Sequence, residues 1–178
     1  MIEIIRRAYR SITTCIVSFF PWSQDLHDTQ PRKKKIDYST KVGFTCGAFD
    51  LLHAGHVLML KEAKEQCDYL IVGLQYNPAV DRPEKNRPVQ SFEERSIVLS
   101  AIKYVDKVIL YETEKDLYAV LKNINPDVRI IGSDWSGKKF TGDDLPIKIY
   151  FNCRDHGWST TALREKIYLK ELAKRKQI

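Results

Sequence analysis

Two histidines separated by a glycine are the residues of this chain best suited to chemistry on an anion. His53 and His56 lie three positions apart around Gly55, shortly after an apolar run that predicts a strand. A helix that begins here presents free N–H groups and the positive end of its dipole, which together favour a phosphate. Gly47 and Gly55 let the backbone approach such a ligand closely. One histidine here would usually be a cap or turn residue, but two histidines with two glycines predict an anion-binding site.

A second polar group near the C-terminus predicts another helix start that binds an anion. Ser159, Thr160 and Thr161 are hydroxyl residues of the kind that cap helices, and Arg154 precedes them, with Gly157 providing a turn. A Ser-Thr-Thr run by itself predicts only a cap. Because the arginine adds a cation beside free N–H groups, we expect this segment to bind an anion as well.

Alternating strand and helix patterns indicate the scaffold that positions both groups. From Lys41 onward, short apolar runs predict strands, and capped or amphipathic segments between them predict helices. The predicted strands are 42–46, 69–74, 105–111, 128–132 and 147–151, and the predicted helices are 56–66, 91–103, 114–124 and one that follows Ser159. Repeated strand–helix units form a parallel sheet with helices on both faces. The predicted fold class is therefore α/β, a Rossmann-like three-layer α/β/α arrangement that binds ligands at the carboxyl ends of its strands.

The composition is that of a soluble globular protein and excludes several other classes. Of the 178 residues, 43% are hydrophobic and 29% are charged, which excludes a wholly disordered chain, a collagen-like fibre and a multi-span membrane protein. The four cysteines include no CxxC pair, so neither a zinc site nor a disulfide framework is indicated. They are typical of reduced thiols in a cytosolic protein.

The excess positive charge lies mainly in the first forty residues. Residues 1–41 contain eight Lys/Arg against four acids, whereas residues 42–178 contain 21 bases and 19 acids. We therefore divide the chain into a basic extension and linker, residues 1–40, and a domain, residues 41–178. The basic run 32–35 lacks interleaved aromatic residues and a nucleic-acid motif, so a linker fits it better than RNA binding, and no nucleic-acid partner is expected.

The extension has a helical apolar stripe, and its role stays open between several alternatives. Its longest charge-free stretch, 11–24, is too short and too polar to span a bilayer, and a secretory cleavage site is missing. Residues 1–22 could form a peripheral membrane anchor, with Phe19, Phe20 and Trp22 at the apolar end. The alternatives are a helix that packs on the domain or on a second subunit, a disordered extension, and an artefact of the gene start.

Several ordered segments resemble the cytidylyltransferase-like nucleotidyltransferases. Residues 47–56 are similar to their GxFDxxHxGH signature, and residues 154–161 are similar to their RTxGxSTT motif. Between these two segments, Glu94-Arg95, Tyr104-Val105-Asp106 and Asp134-Trp135 agree in the same order. The resemblance covers about residues 42–167 and is strongest to the glycerol-3-phosphate cytidylyltransferases, with the choline- and ethanolamine-phosphate enzymes as cousins. It implies a fold of the nucleotidyltransferase type.

The resemblance implies a direct transfer reaction. A substrate phosphate attacks the α-phosphorus of a nucleoside triphosphate in line, and pyrophosphate leaves without a covalent enzyme intermediate. Such a reaction needs positioning and charge stabilisation rather than a protein nucleophile. Mg²⁺ is the implied cofactor, held mainly by the triphosphate, so no protein metal ligands are expected.

The resemblance also implies roles for individual residues. The catalytic residues are His53, His56, Lys85 and Arg154, of which Lys85 lies in a loop where relatives carry mobile lysines. The nucleotide-binding residues are Cys46, Gly47, Ala48, Phe49, Asp50, Gly55, Asp134, Trp135, Ser159, Thr160 and Thr161. The residues expected to bind substrate phosphates are Arg87, Arg95 and Lys103. For Asp50, a role in holding the loop is favoured over indirect metal contact. For Arg95, phosphate binding is favoured over a salt bridge to a neighbour.

The chain departs from the family pattern at three positions. Asp155 and His156 replace the usual threonine and acidic residue of the late motif. Lys103 stands where the glycerol-3-phosphate enzymes carry an arginine, and it keeps the charge without the bidentate fork.

The leading expectation is transfer of CMP from CTP to glycerol 3-phosphate, which yields a CDP-alcohol and pyrophosphate. The first alternative is adenylyl or cytidylyl transfer to another acceptor, such as choline phosphate, ethanolamine phosphate or a sugar phosphate. The second is a non-catalytic nucleotide-binding module. A homodimer and a cytoplasmic location are also expected, with peripheral membrane contact through residues 1–22 as an option.

Overall fold

One parallel sheet flanked by helices forms the part of the chain that the structure, a computed structural model, describes. The structure describes residues 39–176. The predictions for residues 1–38 of the N-terminal extension therefore lie outside the described part. The strands are β1 (Val42–Gly47), β2 (Tyr69–Gln75), β3 (Lys107–Tyr111), β4 (Val128–Gly132) and β5 (Lys148–Asn152), and the α-helices are α1 (Ala54–Glu65), α2 (Phe92–Ser100), α3 (Glu114–Ile124) and α4 (Thr160–Arg175). A 3₁₀ turn, Ser133–Trp135, follows β4.

The strand order β3-β2-β1-β4-β5 places the functional crevice at β1 and β4. The chain runs outward from β1 through β2 to β3 and then returns to place β4 on the other side of β1. Every neighbouring pair is parallel, and Phe44 of β1 pairs with Arg129 of β4. Connections that diverge from two adjacent strands leave a gap at their carboxyl ends, where ligands bind in such folds. The predicted Rossmann-like α/β class is confirmed.

Alternating side chains of the strands build a separate core on each face of the sheet. Because successive strand residues point to opposite faces, β2 sends Val72 to one face and Ile71 to the other. The first core joins the sheet to α1 and α2 and includes Leu60, Leu70, Val72, Leu74, Leu99 and Ile130. The second core joins it to α3 and includes Phe44, Ile71, Tyr111, Leu117 and Leu121.

Several boundaries differ by one to three residues from the sequence prediction, and two of the differences have local reasons. Strand β3 begins at Lys107 rather than 105, because Asp106 closes a turn: its amide donates to the Leu70 carbonyl at 3.0 Å and its carboxylate accepts from the Leu70 amide at 2.7 Å. Helix α1 begins at Ala54 rather than 56, because the side chain of His53 caps it. Within residues 39–176, no helix is long and apolar enough to cross a membrane.

Candidate active site

Two cavities adjoin at the carboxyl ends of β1 and β4. The main cavity has a volume of about 820 Å³ and the smaller one about 190 Å³. The residues that line both are Cys46, Gly47, Ala48, Phe49, His56, Asp134, Trp135 and Arg154. All eight are residues that the sequence analysis predicts for the site. The fold therefore gathers three separate segments around one space.

The two predicted histidines form a capping box at the start of α1. The Nδ1 atom of His53 accepts the Gly55 amide at 3.1 Å, and the Nδ1 atom of His56 accepts the His53 amide at 3.4 Å. Their rings stack with centroids 4.0 Å apart. An Nδ1 that accepts a hydrogen bond leaves the proton of a neutral imidazole on Nε2. Both rings therefore present an Nε2–H donor.

Burial keeps both imidazoles neutral. Desolvation, followed by repulsion from the His53 imidazole and the Arg154 guanidinium, lowers the pKa of His56 to about 4. Burial is also the largest cause that lowers the pKa of His53, followed by His156 and Arg154. Near pH 7 both histidines are thus uncharged hydrogen-bond donors, which suits them to charge that develops only during a reaction.

Helix α4 joins the two predicted anion sites through Thr160. The hydroxyl of Thr160 donates to the Asp50 carbonyl at 3.2 Å and lies 3.4 Å from the Nε2 atom of His53. Ser159 caps the helix by accepting the Ala162 amide at 3.1 Å. Thr160 and Thr161 line the main cavity, whereas Ser159 lines neither cavity. The N-terminal ends of α1 and α4 therefore adjoin the same space.

Asp50 is buried and ties three segments together. One carboxylate oxygen accepts the amides of Val89 and Gln90 at 2.9 and 3.0 Å, and the other pairs with Arg164 at 3.3 Å. The loop is strained, because Phe49 and Leu51 on either side both have φ of 47°. These contacts give Asp50 the loop-holding role that the sequence favours.

Arg154 and Asp134 form an ion pair at the mouth of both cavities. Their atoms lie 3.1 Å apart, and both side chains are about half exposed at 53% and 52%. Trp135 follows Asp134 in the 3₁₀ turn and also lines both cavities. An exposed pair of this kind contributes little stability, so the guanidinium can exchange its partner for a ligand phosphate at small cost.

His156 is a third imidazole at the site that the sequence did not assign. It lines the smaller cavity beside Trp158, with ring centroids 5.5 Å apart, and its buried Nδ1 has no hydrogen-bond partner in the described part of the chain. Gly55 makes this approach possible, because a Cβ there would lie 2.6 Å from Cε1 of His156. The only sequence signal was its place inside the late motif.

The loop after β2 brings one of its two predicted cations to the site. Lys85 lines the main cavity and is exposed. Arg87 does not line either cavity, and its carbonyl accepts from the guanidinium of Arg164 at 3.3 Å. Arg164 lines the main cavity, yet the sequence analysis missed it. Its position four residues after Thr160, on the same helix face, was the available signal.

The expectation that Arg95 binds a phosphate is corrected by its contacts. Its side chain is only 2% exposed. The guanidinium donates to the carbonyls of Ala48, Gln75 and Tyr76 at 2.7–2.8 Å, and to that of Gln90 at 3.3 Å. Four donor contacts to backbone leave it no free fork for a phosphate. Arg95 instead fastens the β1–α1 loop to the end of β2.

The expectation that Lys103 binds a substrate phosphate is not supported by its position either. Its ammonium lies 5.1 Å from the centroid of the Tyr104 ring, it is exposed, and it lines neither cavity. Its ammonium group therefore lies away from the candidate site.

No cluster of histidine, cysteine and carboxylate residues able to hold a metal ion occurs within residues 39–176. Four carboxylates line the main cavity, and three of them, Asp50, Glu114 and Asp134, are each paired with an arginine. The donor set is richer in cations and N–H groups than in oxygen ligands. It suits a polyanion, which can carry its own divalent cation.

Comparison with known proteins agrees with this geometry. Residues 44–166 match the sequence profile described as cytidylyltransferase-like. The chain belongs to the cytidylyltransferase-like family. The matched region is a nucleotidyltransferase domain and contains the main elements of the site, from β1 into α4.

Individual relatives support the same placement. The chain is 41% identical over 128 residues to the bifunctional protein HldE of Wolinella succinogenes, covering 71% of this chain and 27% of that protein. It is 45% identical over 106 residues to HldE of Paramagnetospirillum magneticum, covering 59% and 22%. The chain thus spans about a quarter of the length of these relatives. A lipopolysaccharide core biosynthesis protein from Thermoplasma volcanium superimposes with a TM-score of 0.56 at 27% identity, covering 66% of this chain and 99% of that one.

Proposed function

We propose that this protein transfers a nucleoside monophosphate from a nucleoside triphosphate to a small phosphorylated alcohol or sugar and releases pyrophosphate. The observation that carries the proposal is the pair of neutral imidazoles, His53 and His56. Each keeps an Nε2–H donor, and that of His53 lies 3.4 Å from the Thr160 hydroxyl at the N-terminus of α4. Two helix starts and Arg154 supply the positive potential that a triphosphate requires.

In the proposed reaction, an oxygen of the acceptor phosphate attacks the α-phosphorus. The bond from the α-phosphorus to the oxygen that bridges to the β-phosphate breaks, and its electron pair leaves with pyrophosphate. His53 and His56 donate hydrogen bonds to the phosphoryl oxygens, and Arg154 and Lys85 balance the charge of the leaving pyrophosphate. Burial raises the pKa of the Cys46 thiol, so this cavity residue stays protonated and is a poor nucleophile. Direct transfer therefore fits better than a covalent intermediate.

We propose that Mg²⁺ enters as the complex with the triphosphate. Bound in this way it would neutralise phosphate charge and help to orient the leaving group. The contacts of Asp50 with two amides and Arg164 support a structural duty rather than metal binding. Addition of EDTA should abolish turnover, and an excess of Mg²⁺ should restore it.

CTP and glycerol 3-phosphate are the substrates that we propose first, on the resemblance of the two phosphate motifs. A second candidate pair is ATP with a phosphorylated sugar. The Thermoplasma volcanium neighbour, described as a lipopolysaccharide core biosynthesis protein, favours the sugar acceptor of this pair.

The test is pyrophosphate release by the full chain with Mg²⁺, using CTP or ATP against glycerol 3-phosphate, glucose 1-phosphate and choline phosphate. Turnover with one nucleotide and one acceptor is expected. Replacement of His56 by alanine should lower kcat about 10²- to 10³-fold, while Lys122→Ala on the exposed face of α3 serves as the matched control. Absence of turnover with every pair, or a His56→Ala enzyme within twofold of wild type, contradicts the proposal.

Three further features are proposals about the whole protein. They are a homodimer, a cytoplasmic location and peripheral membrane contact through residues 1–22. Analytical ultracentrifugation tests the dimer, and flotation with anionic liposomes tests membrane contact, with a chain that lacks residues 1–38 as the control. Loss of liposome binding on truncation with activity retained is the expected result.

A further inference from the structure

The main cavity has a second region whose residues have no part in the proposed nucleotidyl transfer. We define this inner arm by Gln75, Arg82, Tyr111, Glu114, Arg129 and Thr141, all of which line the main cavity and none of which lines the smaller one. Its strand residues Gln75, Tyr111 and Arg129 lie on the α3 face of the sheet. None of these six is among the site residues that the sequence predicts.

Arg129 is a buried guanidinium without a counter-ion. It is 4% exposed and forms no ion pair with any residue of the described range 39–176. One Nη atom donates to the Thr141 carbonyl, and the guanidinium lies over the Phe140 ring at 5.2 Å from its centroid. The Cys46 thiol is a further hydrogen-bond neighbour of the guanidinium. Its Nε is buried and has no hydrogen-bond partner. A buried charge with incomplete partners is costly unless something else supplies them.

Two neighbouring side chains have unused donors as well. Gln75 is 1% exposed, and its Oε1 accepts from Arg82 at 2.9 Å while its Nε2 is buried without a partner. Arg82 also pairs with Glu114 at 3.2 Å, yet its buried Nε has no partner. The three unpartnered atoms of the inner arm are therefore all N–H donors. Buried N–H donors are nearly always satisfied, so they call for acceptor oxygens from outside the protein.

The charge of the inner arm has the same sign as its unused donors. Arg82 and Arg129 supply two permanent positive charges, and Glu114, already paired with Arg82, supplies one negative charge. A quaternary ammonium or amine placed here would meet two guanidinium groups and no free carboxylate of the arm. Hydroxyl or carboxylate oxygens would instead satisfy the donors.

Resting on the proposed function, we propose that the inner arm binds the non-reacting end of the acceptor and selects an oxygen-rich end, either polyol or carboxylate, over a cationic one. The two helix starts and Arg154 would hold the triphosphate beside the residues that line both cavities. The smaller cavity, with Trp135, His156 and Trp158, offers aromatic walls to the base. The inner arm is then the remaining space that adjoins the reacting phosphate. Arg129, Gln75 and Arg82 are its specificity-determining residues.

The first experiment compares steady-state kinetics of the wild-type chain with Arg129→Met, Arg129→Lys and Gln75→Leu. Arg129→Met should raise KM for the polyol or sugar phosphate roughly 10- to 100-fold while KM for the nucleotide stays within twofold. Arg129→Lys should recover only part of the loss, because lysine keeps the charge without the planar fork. A change confined to the nucleotide KM would assign the arm to the base and overturn the proposal.

A binding experiment separates failure of this inference from failure of the proposed function. Glycerol 3-phosphate, glucose 1-phosphate and choline phosphate are titrated calorimetrically into the wild-type chain and Gln75→Leu, the milder variant should Arg129→Met not fold. Stronger binding of a polyol or sugar phosphate than of choline phosphate, weakened by Gln75→Leu, supports the inner arm even if no pyrophosphate is released. Equal or stronger binding of choline phosphate, or binding of the polyol and sugar phosphates that no inner-arm variant changes, overturns it.

Discussion

Arg95 and Arg129 are both buried arginines, and the difference between them separates a structural residue from a functional candidate. Their side chains are 2% and 4% exposed. Arg95 donates to four backbone carbonyls from three segments, so its charge is solvated by the protein. Arg129 has a single carbonyl partner and an unused Nε. Residue type and burial are the same, and only the completeness of the partners differs.

This contrast teaches that a buried cation has to be judged by its unfilled donors. A guanidinium surrounded by carbonyls behaves as a fastener, and removing it leaves buried acceptors unsatisfied. A guanidinium with few partners costs stability in the free protein, and a ligand that completes its hydrogen bonds recovers that cost.

Replacing Arg95 with methionine should cause the largest loss of stability. The variant leaves the carbonyls of Ala48, Gln75, Tyr76 and Gln90 without their donor, so the free energy of unfolding should fall by roughly 3–4 kcal/mol. Urea denaturation followed by circular dichroism measures the change. A loss below about 1 kcal/mol would show that the four hydrogen bonds do not fasten the loops and would remove the contrast with Arg129.

His56 provides the next comparison, because this buried imidazole can change its charge with pH, whereas the two buried arginines cannot. Its pKa is lowered to about 4 in the folded chain, against about 6.5 when unfolded. The unfolded state therefore binds the proton first, and stability is complete above pH 6.5 and falls as the pH decreases toward 4. Between pH 7 and 4.5, wild type should lose roughly 2 kcal/mol more than His56→Asn.

Urea denaturation of both proteins at the two pH values gives this difference, and heteronuclear NMR of the imidazoles adds an independent measurement. The spectra should report neutral Nε2–H tautomers at pH 7. Equal pH dependence in the two proteins, or a His56 pKa near 6.5, would show that burial does not hold this ring neutral.

Replacing Arg129 with methionine should hardly reduce stability. An apolar side chain of similar length removes an unpaired buried charge, so the free energy of unfolding should stay within about 1 kcal/mol of wild type or rise. The same urea experiment applies, and Arg95→Met is the matched comparison. A loss as large as that of Arg95→Met would make Arg129 another fastener and weaken the case for a ligand in the inner arm.

The smallest effect is expected at Lys103. Its exposed ammonium lies over the Tyr104 ring and away from both cavities, so Lys103→Ala should leave kcat and both KM values within twofold of wild type. Steady-state kinetics measure this directly. A tenfold rise in the acceptor KM would return Lys103 to the site and show that substrate binding reaches beyond the cavities.

Much of the site could be predicted because its motifs are local. His53, Gly55 and His56 are contiguous enough to form their own capping box, so their spacing already contains their geometry. The alternating strand and helix patterns predicted the parallel sheet, and a parallel sheet brings the loops after β1 and β4 together. The strand prediction also contained a missed signal, since Arg129 is a lone charge within the apolar run of β4.

The sequence by itself determined the fold class and the two helix starts of the candidate site, because both depend on periodicity and on residues a few positions apart. Only the tertiary structure decided which arginine is available to a ligand. The carbonyl that Arg95 meets on Ala48 is 47 residues away in sequence, and the carbonyl that Arg129 meets on Thr141 is 12 residues away. Those partners come together only when the sheet and its loops pack. Whether a buried guanidinium is already satisfied is therefore a property of the fold.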